Sequence, residues 1–291
     1  MTDKQHTFID LFAGIGGFHL AFHRSGARCV FASEWDPHAR QTYETNFKKI
    51  DPELFASGNF AGDITKVRKS TIPDFDVLCA GFPCQPFSQA GHKLGFEDVR
   101  GTLFFEIAEI IRVKKPKAFF LENVRHLYRH DNGYTFQIIC EILEKELGYT
   151  IHHKVVRASE HGLPQHRPRL FIVGFKNKTI DFAFPKNRPL KLTMSDVWQG
   201  HVERDIGFTL RVGGKSSPIL DRRNWDGYIV NGELRRLTPK EGKAMQGFPK
   251  SFKFPVSDSQ AMKQLGNSVA VNAVQDYASA ILDALKKSAK K

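Results

Sequence analysis

Cysteine is scarce in this chain and long apolar runs are missing. The four cysteines, Cys29, Cys79, Cys84 and Cys140, form no C-x-x-C pair and have no histidine at a zinc-ligand spacing, so neither a disulfide framework nor a metal site is indicated. No stretch approaches the roughly 20 apolar residues that cross a bilayer, and the amino terminus lacks the apolar core of a secretory signal. A soluble, cytoplasmic protein with no membrane attachment is expected. Acidic residues are also short: 31 Asp and Glu against 43 Lys and Arg leave a formal net charge of +12. Such a balance favours a polyanionic partner. Internal repeats and low-complexity tracts are absent, and the final Lys286 to Lys291 reads as a frayed basic tail.

What is present is an alternation of strands and helices. Phe8 to Phe12, Cys29 to Ser33, Val77 to Ala80, Ala118 to Leu121 and Leu170 to Val173 are short apolar runs of the kind covered on both faces. Between them, Leu103, Phe104, Ile107, Ile110 and Ile111 recur at helical spacing, as do Phe136, Ile139, Leu143 and Leu147. This pattern predicts an α/β fold with a doubly wound, mostly parallel sheet over residues 1–180. Past residue 180 the chain is proline-broken and rich in Gly, Arg, Asn and Asp, which predicts a smaller, loop-rich lobe over 181–256. Ala261, Leu265, Val269, Ala273, Tyr277, Ile281 and Leu285 then mark an amphipathic helix, interrupted around Gly266, that returns over 257–291 to the first lobe.

The candidate chemistry lies where strands end. Val77 to Ala80 runs into Phe82-Pro-Cys84-Gln-Pro-Phe-Ser88, in which two prolines stiffen the chain around one soft nucleophile. A buried structural thiol is the alternative reading. Phe12-Ala-Gly14-Ile-Gly16-Gly17 places glycines between the first strand and the first helix, where backbone can approach a ligand closely. Glu34 and Trp35 follow the second strand, with Glu34 about 20 residues past the first glycine, the spacing at which an acid meets a ribose hydroxyl. These features indicate an adenosine without saying which; no G-K-[ST] follows, and the same turn could serve strand–helix packing alone. Asp63 in Gly62-Asp-Ile64-Thr could accept a bond from an adenine amino group or simply shape a turn. Glu122 ends the fourth strand. In Gln165-His-Arg167-Pro-Arg169 the alternation of a strand puts both guanidiniums on one side, a costly arrangement unless an acid or ligand meets them.

Taken in order, these residues resemble one family, the bacterial DNA (cytosine-5) methyltransferases of restriction-modification systems. The resemblance rests on F-x-G-x-G-G, E-W-D, G-D-I-T, G-F-P-C-Q-P-F-S, E-N-V, Q-x-R-x-R, Arg236-Leu-Thr-Pro-Lys-Glu241 and Gly266-Asn267-Ser-Val269, motifs that span nearly the whole chain. It implies the class I S-adenosylmethionine-dependent methyltransferase fold, S-adenosylmethionine as methyl donor, double-stranded DNA as partner and a cognate restriction endonuclease; a single catalytic unit of this size is expected to work as a monomer. It also implies roles: Cys84 as nucleophile at cytosine carbon 6, Glu122 at ring nitrogen 3, Arg167 near the exocyclic oxygen and Arg169 supporting the geometry. Phe12 would face the adenine, with Gly14, Gly16 and Gly17 as the cofactor turn. Glu34 would hold the ribose, Trp35 would flank the cofactor, Asp63 and Ile64 would contact the adenine, and Asn267 and Val269 would close the site.

The target base must leave its stack, and the loop from Gln85 to Arg100 is a candidate lid. Gln85, Ser88, Thr209, Arg211, Arg222 and Arg223 are the candidate DNA contacts, since Arg can pair bidentately with base edges while most basic loop residues touch only phosphate. Three alternatives stay open at this point. They are cytosine methylation in transfer RNA, a nicotinamide-dependent oxidoreductase built on the glycine turn, and a non-catalytic nucleic-acid binder. The short 176–235 region leaves the recognised base sequence open.

Overall fold

A computed structural model describes residues 5–83, 102–213 and 216–289. Seven strands form one sheet: β1 (Thr7–Leu11), β2 (Arg28–Ser33), β3 (Phe60–Ala61), β4 (Val77–Gly81), β5 (Ala118–Val124), β6 (Thr150–Val156) and β7 (Arg169–Phe175). Their spatial order is β3-β2-β1-β4-β5-β7-β6. The pairs from β3 across to β5 are parallel, and β7 runs antiparallel to both β5 and β6. The sheet is therefore doubly wound and mostly parallel, as the alternation predicts. One finding is additional: because β7 is reversed, its amino-terminal end lies beside the carboxyl end of β5, with Arg169 opposite Val124.

Consecutive strand residues pack into two separate cores. Phe8, Cys79, Phe120 and Phe171 face one side, where α1 (Gly17–Arg24) and the long helix α9 (Val271–Ala289) contribute Phe18, Phe22, Tyr277 and Ile281. Ile9, Leu78, Phe119 and Ile172 face the other, covered by α4 (Leu103–Lys114) and α5 (Tyr134–Glu141) through Phe104, Ile107, Phe136 and Ile139. Cys29 and Cys79 are buried here, and desolvation pushes both thiols well above the ordinary cysteine range. Neither can serve as a nucleophile near neutral pH.

Helix α2 (Pro37–Phe47) begins cleanly because Asp36 accepts from the amides of His38 and Ala39 (2.9 and 3.0 Å) and Pro37 presets the first turn. The short helices α3 (Pro52–Ala56) and α6 (Met194–Trp198) are followed by a hairpin of β8 (Gly227–Val230) and β9 (Glu233–Arg236), then α7 (Pro239–Gln246) and α8 (Asp258–Asn267). Trp198, Leu210, Trp225, Tyr228 and Met245 from this region join the same apolar cluster as α9. Helices α8 and α9 meet at Ser268-Val269-Ala270, the interruption that the sequence places near Gly266. No described helix is long and apolar enough to cross a membrane, and no metal-holding cluster of His, Cys, Asp or Glu occurs among the described residues.

Candidate active site

In an open α/β sheet the carboxyl ends of parallel strands form the crevice where ligands bind. Here that edge gathers Phe12 to Gly17 after β1, Glu34 to Asp36 after β2, Gly62 to Ile64 after β3, Phe82 and Pro83 after β4, and Glu122 and Asn123 at the end of β5. The reversal of β7 adds Arg169. Cys84, Gln85, Ser88 and the Gln85–Arg100 loop lie outside the described residues.

The glycine turn is built as its sequence requires. Phe12, Gly14 and Gly16 all have positive φ (54°, 55° and 82°). The Gly14 amide donates to Glu34 Oε2 at 2.8 Å, and Glu34 Oε1 accepts from the Asp36 amide at 2.8 Å. Burial raises the Glu34 pKa against the pull of these amides. A Cβ at Gly16 would meet the Phe47 ring at 2.2 Å and one at Gly17 would meet Val269 at 2.6 Å, so the turn is closed from behind by α2 and the α8–α9 junction. At Gly14 and Gly62 a Cβ would meet nothing within 4 Å. The open side of the turn thus has room for a ligand, and Trp35, 79 % exposed, stands uncovered beside it in sequence. Asp63 caps a single helical turn through its Oδ1, which accepts from the Thr65 amide and hydroxyl (3.0 and 2.8 Å). Ile64 and Val269 are buried, whereas Asn267 is exposed.

The acid–base pair lies farther along the edge. Glu122 sits opposite Gly81 in the β4–β5 register, three residues before Cys84 in the chain. Its Oε1 receives Arg169 Nε at 3.0 Å, with both side chains largely shielded from solvent. Burial raises the Glu122 pKa, and the nearby charges of Arg169 and Arg167 only partly reverse this. A Cβ at Gly81 would stand 3.5 Å from Glu122 Oε2, so a glycine there keeps the carboxyl uncrowded.

Arg167 shares the Glu122 side with Arg169, as expected, but from outside the strand. It precedes the strand, takes φ 33° and is almost wholly buried. Its guanidinium donates to the carbonyls of Leu210 (3.2 Å), Gly266 (2.9 Å) and Ser268. The two arginines therefore differ in kind: Arg169 meets a carboxylate, while Arg167 ties the 209–211 segment to the α8–α9 junction. Thr209 belongs to the same knot, its hydroxyl accepting from the Arg167 amide at 3.1 Å.

Three further polar residues, buried on or beside these strands, are not among the site residues that the sequence singles out. Asn123 Nδ2 donates to Phe82 O at 3.0 Å and holds the chain just before Pro83. Gln165, fully buried, bonds Met245 O (3.2 Å), Gln246 Oε1 (3.2 Å) and the Leu210 amide (2.9 Å). Asp10, fully buried within β1, accepts from the His19 amide at 3.2 Å, and burial pushes its pKa well up. Asn123 and Gln165 lie within the E-N-V and Q-x-R-x-R motifs, whereas Asp10 stands out only as a polar residue inside an apolar strand.

The family model described as C-5 cytosine-specific DNA methylase matches residues 6–209 and 204–283. The chain belongs to this family. Among curated relatives, the Type II methyltransferase M.HhaI of Haemophilus parahaemolyticus is 41 % identical over 94 % of each chain. M1.ScrFI of Lactococcus lactis subsp. cremoris is 44 % identical over 98 % of this chain and 80 % of its own. The solved Dnmt2 methyltransferase of S. pombe shares the fold with a TM-score of 0.73 at 18 % identity, covering 97 % of this methylase and 99 % of that chain. The enzyme is a DNA cytosine-5 methyltransferase, and the oxidoreductase and non-catalytic alternatives fall with that assignment.

Proposed function

We propose that this methylase acts on a cytosine swung out of a specific double-stranded DNA sequence, through a transient bond from the Cys84 sulfur to ring carbon 6, and serves as the modification enzyme of a restriction-modification system. The observation that carries the reading is the shielded Glu122–Arg169 pair at the strand edge, opposite Gly81 and next in line to the Cys84 segment. Carbon 5 of cytosine is too weak a nucleophile to take a methyl group unaided, and a thiolate adding at carbon 6 makes it one. Electron density then moves toward ring nitrogen 3 and the exocyclic oxygen. A carboxyl whose pKa is raised by burial takes up a proton more readily and can share it with nitrogen 3, which suits Glu122. A guanidinium beside it can stabilise the oxygen. We assign that second role to Arg169 and a structural role to Arg167, exchanging what the family resemblance implied, because both terminal nitrogens of Arg167 donate to carbonyls while Arg169 meets Glu122 directly. Loss of the carbon 5 proton to a base and expulsion of the Cys84 sulfur restore the aromatic ring.

The residues fit S-adenosylmethionine, which when bound supplies an electrophilic methyl group. Gly14, Gly16 and Gly17 form the turn, and Phe12, Trp35, Asp63 and Ile64 surround the adenosine end. Glu34 holds the ribose: its carboxylate accepts the Gly14 and Asp36 amides and, with about four lone-pair sites, keeps capacity for a hydroxyl. Asn267 and Val269 close the site from α8 and its junction. Residues 181–256 are the DNA-recognition lobe, with Thr209, Arg211, Arg222, Arg223, Gln85 and Ser88 as contacts. The working enzyme is a monomer, and a cognate endonuclease is its functional partner.

Incubation with labelled methyl donor and a duplex carrying 5-fluorocytosine at the modified position tests the chemistry, because fluorine in place of the carbon 5 proton blocks release. A stable adduct mapping to Cys84, absent in Cys84→Ser, is expected. Methyl incorporation into transfer RNA but not duplex DNA would overturn the substrate assignment.

A further inference from the structure

The most exposed large apolar side chain among the described residues is Leu220, at 96 %. It does not lie on a frayed end. The segment beneath it is fixed: Asp221 N donates to Pro218 O at 2.9 Å, Asn224 N to Asp221 O at 2.8 Å, and Asn224 Nδ2 to Gly227 O at 3.0 Å. Asp226 takes the Ser216 amide and pairs with Arg236 at 3.0 Å, while the Trp225 indole donates to Gly213 O at 2.9 Å. Asn224, Trp225 and Asp226 are all buried. A rigid base therefore presents one leucine to solvent.

Its surroundings are cationic and interleaved with apolar groups. A cavity of about 610 Å³ next to this loop is lined by Arg204, Arg211 and Arg222 with Thr209, Asn224 and Trp225, and Asp205 is the acid in its wall. Neither Arg211 nor Arg222 is ion-paired among the described residues. Ile206 and Val212, at 37 % and 47 %, are exposed nearby in sequence. A single exposed leucine is ordinary, and an arginine-lined hollow alone suits any polyanion. An exposed leucine on a fixed loop whose Arg222, Asn224 and Trp225 line that hollow matches a duplex, whose phosphates flank grooves where apolar atoms project. In the major groove the projecting apolar atom is the thymine methyl group.

We propose that Leu220 is a sequence-reading residue: its side chain enters the major groove and packs on a thymine methyl, while Arg211 and Arg222 hold phosphates on either side. This inference rests on the duplex-DNA reading above. Its contact supplies discrimination against base pairs that lack that methyl, by the roughly tenfold typical of one lost base contact.

Sequencing of methylated cytosines in DNA from cells making the full chain first gives the modified site. Thymines in and around it are then replaced one at a time by uracil, which differs only by the missing methyl, and kcat/KM is measured for the wild type and Leu220→Ala. One replacement should slow the wild type about tenfold, Leu220→Ala should be slowed similarly on the thymine substrate, and the variant should be indifferent to that replacement. The proposal is overturned if no replacement affects the wild type, if the two losses add, or if Leu220→Ala changes only the oligomeric state by light scattering. Failure of the duplex reading itself is told apart by the wild type, which would then methylate no duplex at all.

Discussion

At the scale of single residues, Glu122 couples catalysis and stability in opposite directions. Its folded pKa is raised by burial, so the native protein holds a proton there that the unfolded chain has released at the same pH. Stability from this group consequently falls as pH rises from the unfolded carboxylate pKa through the folded one. Glu122→Gln, neutral at all pH, should match or exceed the wild-type melting temperature near pH 8 and lose that advantage below about pH 4. Methyl transfer should drop by at least about a hundredfold, the usual size of a general-acid contribution. A variant less stable at pH 8 than at pH 5, relative to wild type, would contradict the raised pKa. Arg167 and Arg169 separate by the same logic. Arg167→Ala leaves three carbonyls without their donor and should cost about 3 kcal/mol in urea unfolding, whereas Arg169→Ala strands one carboxyl that can take up a proton, so it should lower the midpoint less and abolish turnover. Sequence could not separate the two, because an arginine facing carbonyls and one facing a carboxylate are written identically. Both guanidiniums do come near Glu122, as two arginines on one side require, but Arg167 reaches it from a residue of positive φ just outside the strand.

At the scale of elements, the strands with apolar runs were legible and those without were not. β6 carries His152, His153 and Lys154 on the sheet edge beside β7, so its sequence lacks the apolar signal, and β3 is only two residues long. The first βα turn was legible because glycine is required there, but its two sides differ. Gly16→Ala forces a Cβ into the Phe47 ring at a left-handed φ of 82°, while Gly14→Ala meets open space and bears mainly the left-handed strain, about 1 kcal/mol. Gly16→Ala should thus lower the unfolding midpoint the more of the two. Gly14→Ala should remain folded yet weaken S-adenosylhomocysteine binding in a calorimetric titration, since its new methyl projects into the space left for the ligand. Equal effects of both on stability would show that the turn is open on both sides.

At the scale of the whole molecule, the order of motifs along the chain made the family legible, and the alternation of apolar runs gave the sheet its class. The reversal of β7 was not legible, since no local residue pattern states strand direction, yet it is what carries Arg169 to the edge where Glu122 lies. The net charge of +12 bears on DNA binding as a global property, but its effect depends on which cations are already paired. Arg223 is held by Asp221 at 2.7 Å, and that arginine pulls the Asp221 pKa down to about 2, so the carboxylate stays ionised beside it at any working pH. Arg222, next in the chain, has no such partner among the described residues. Each phosphate contact contributes about 0.9 to the slope of log K against log salt concentration. Arg222→Ala should therefore reduce that slope by about 1 for duplex DNA, with Arg223→Ala reducing it by distinctly less, as measured by fluorescence anisotropy across a salt series. The reverse ranking would mean that DNA displaces Asp221 and recruits the paired arginine, placing the backbone on the opposite side of the Leu220 loop.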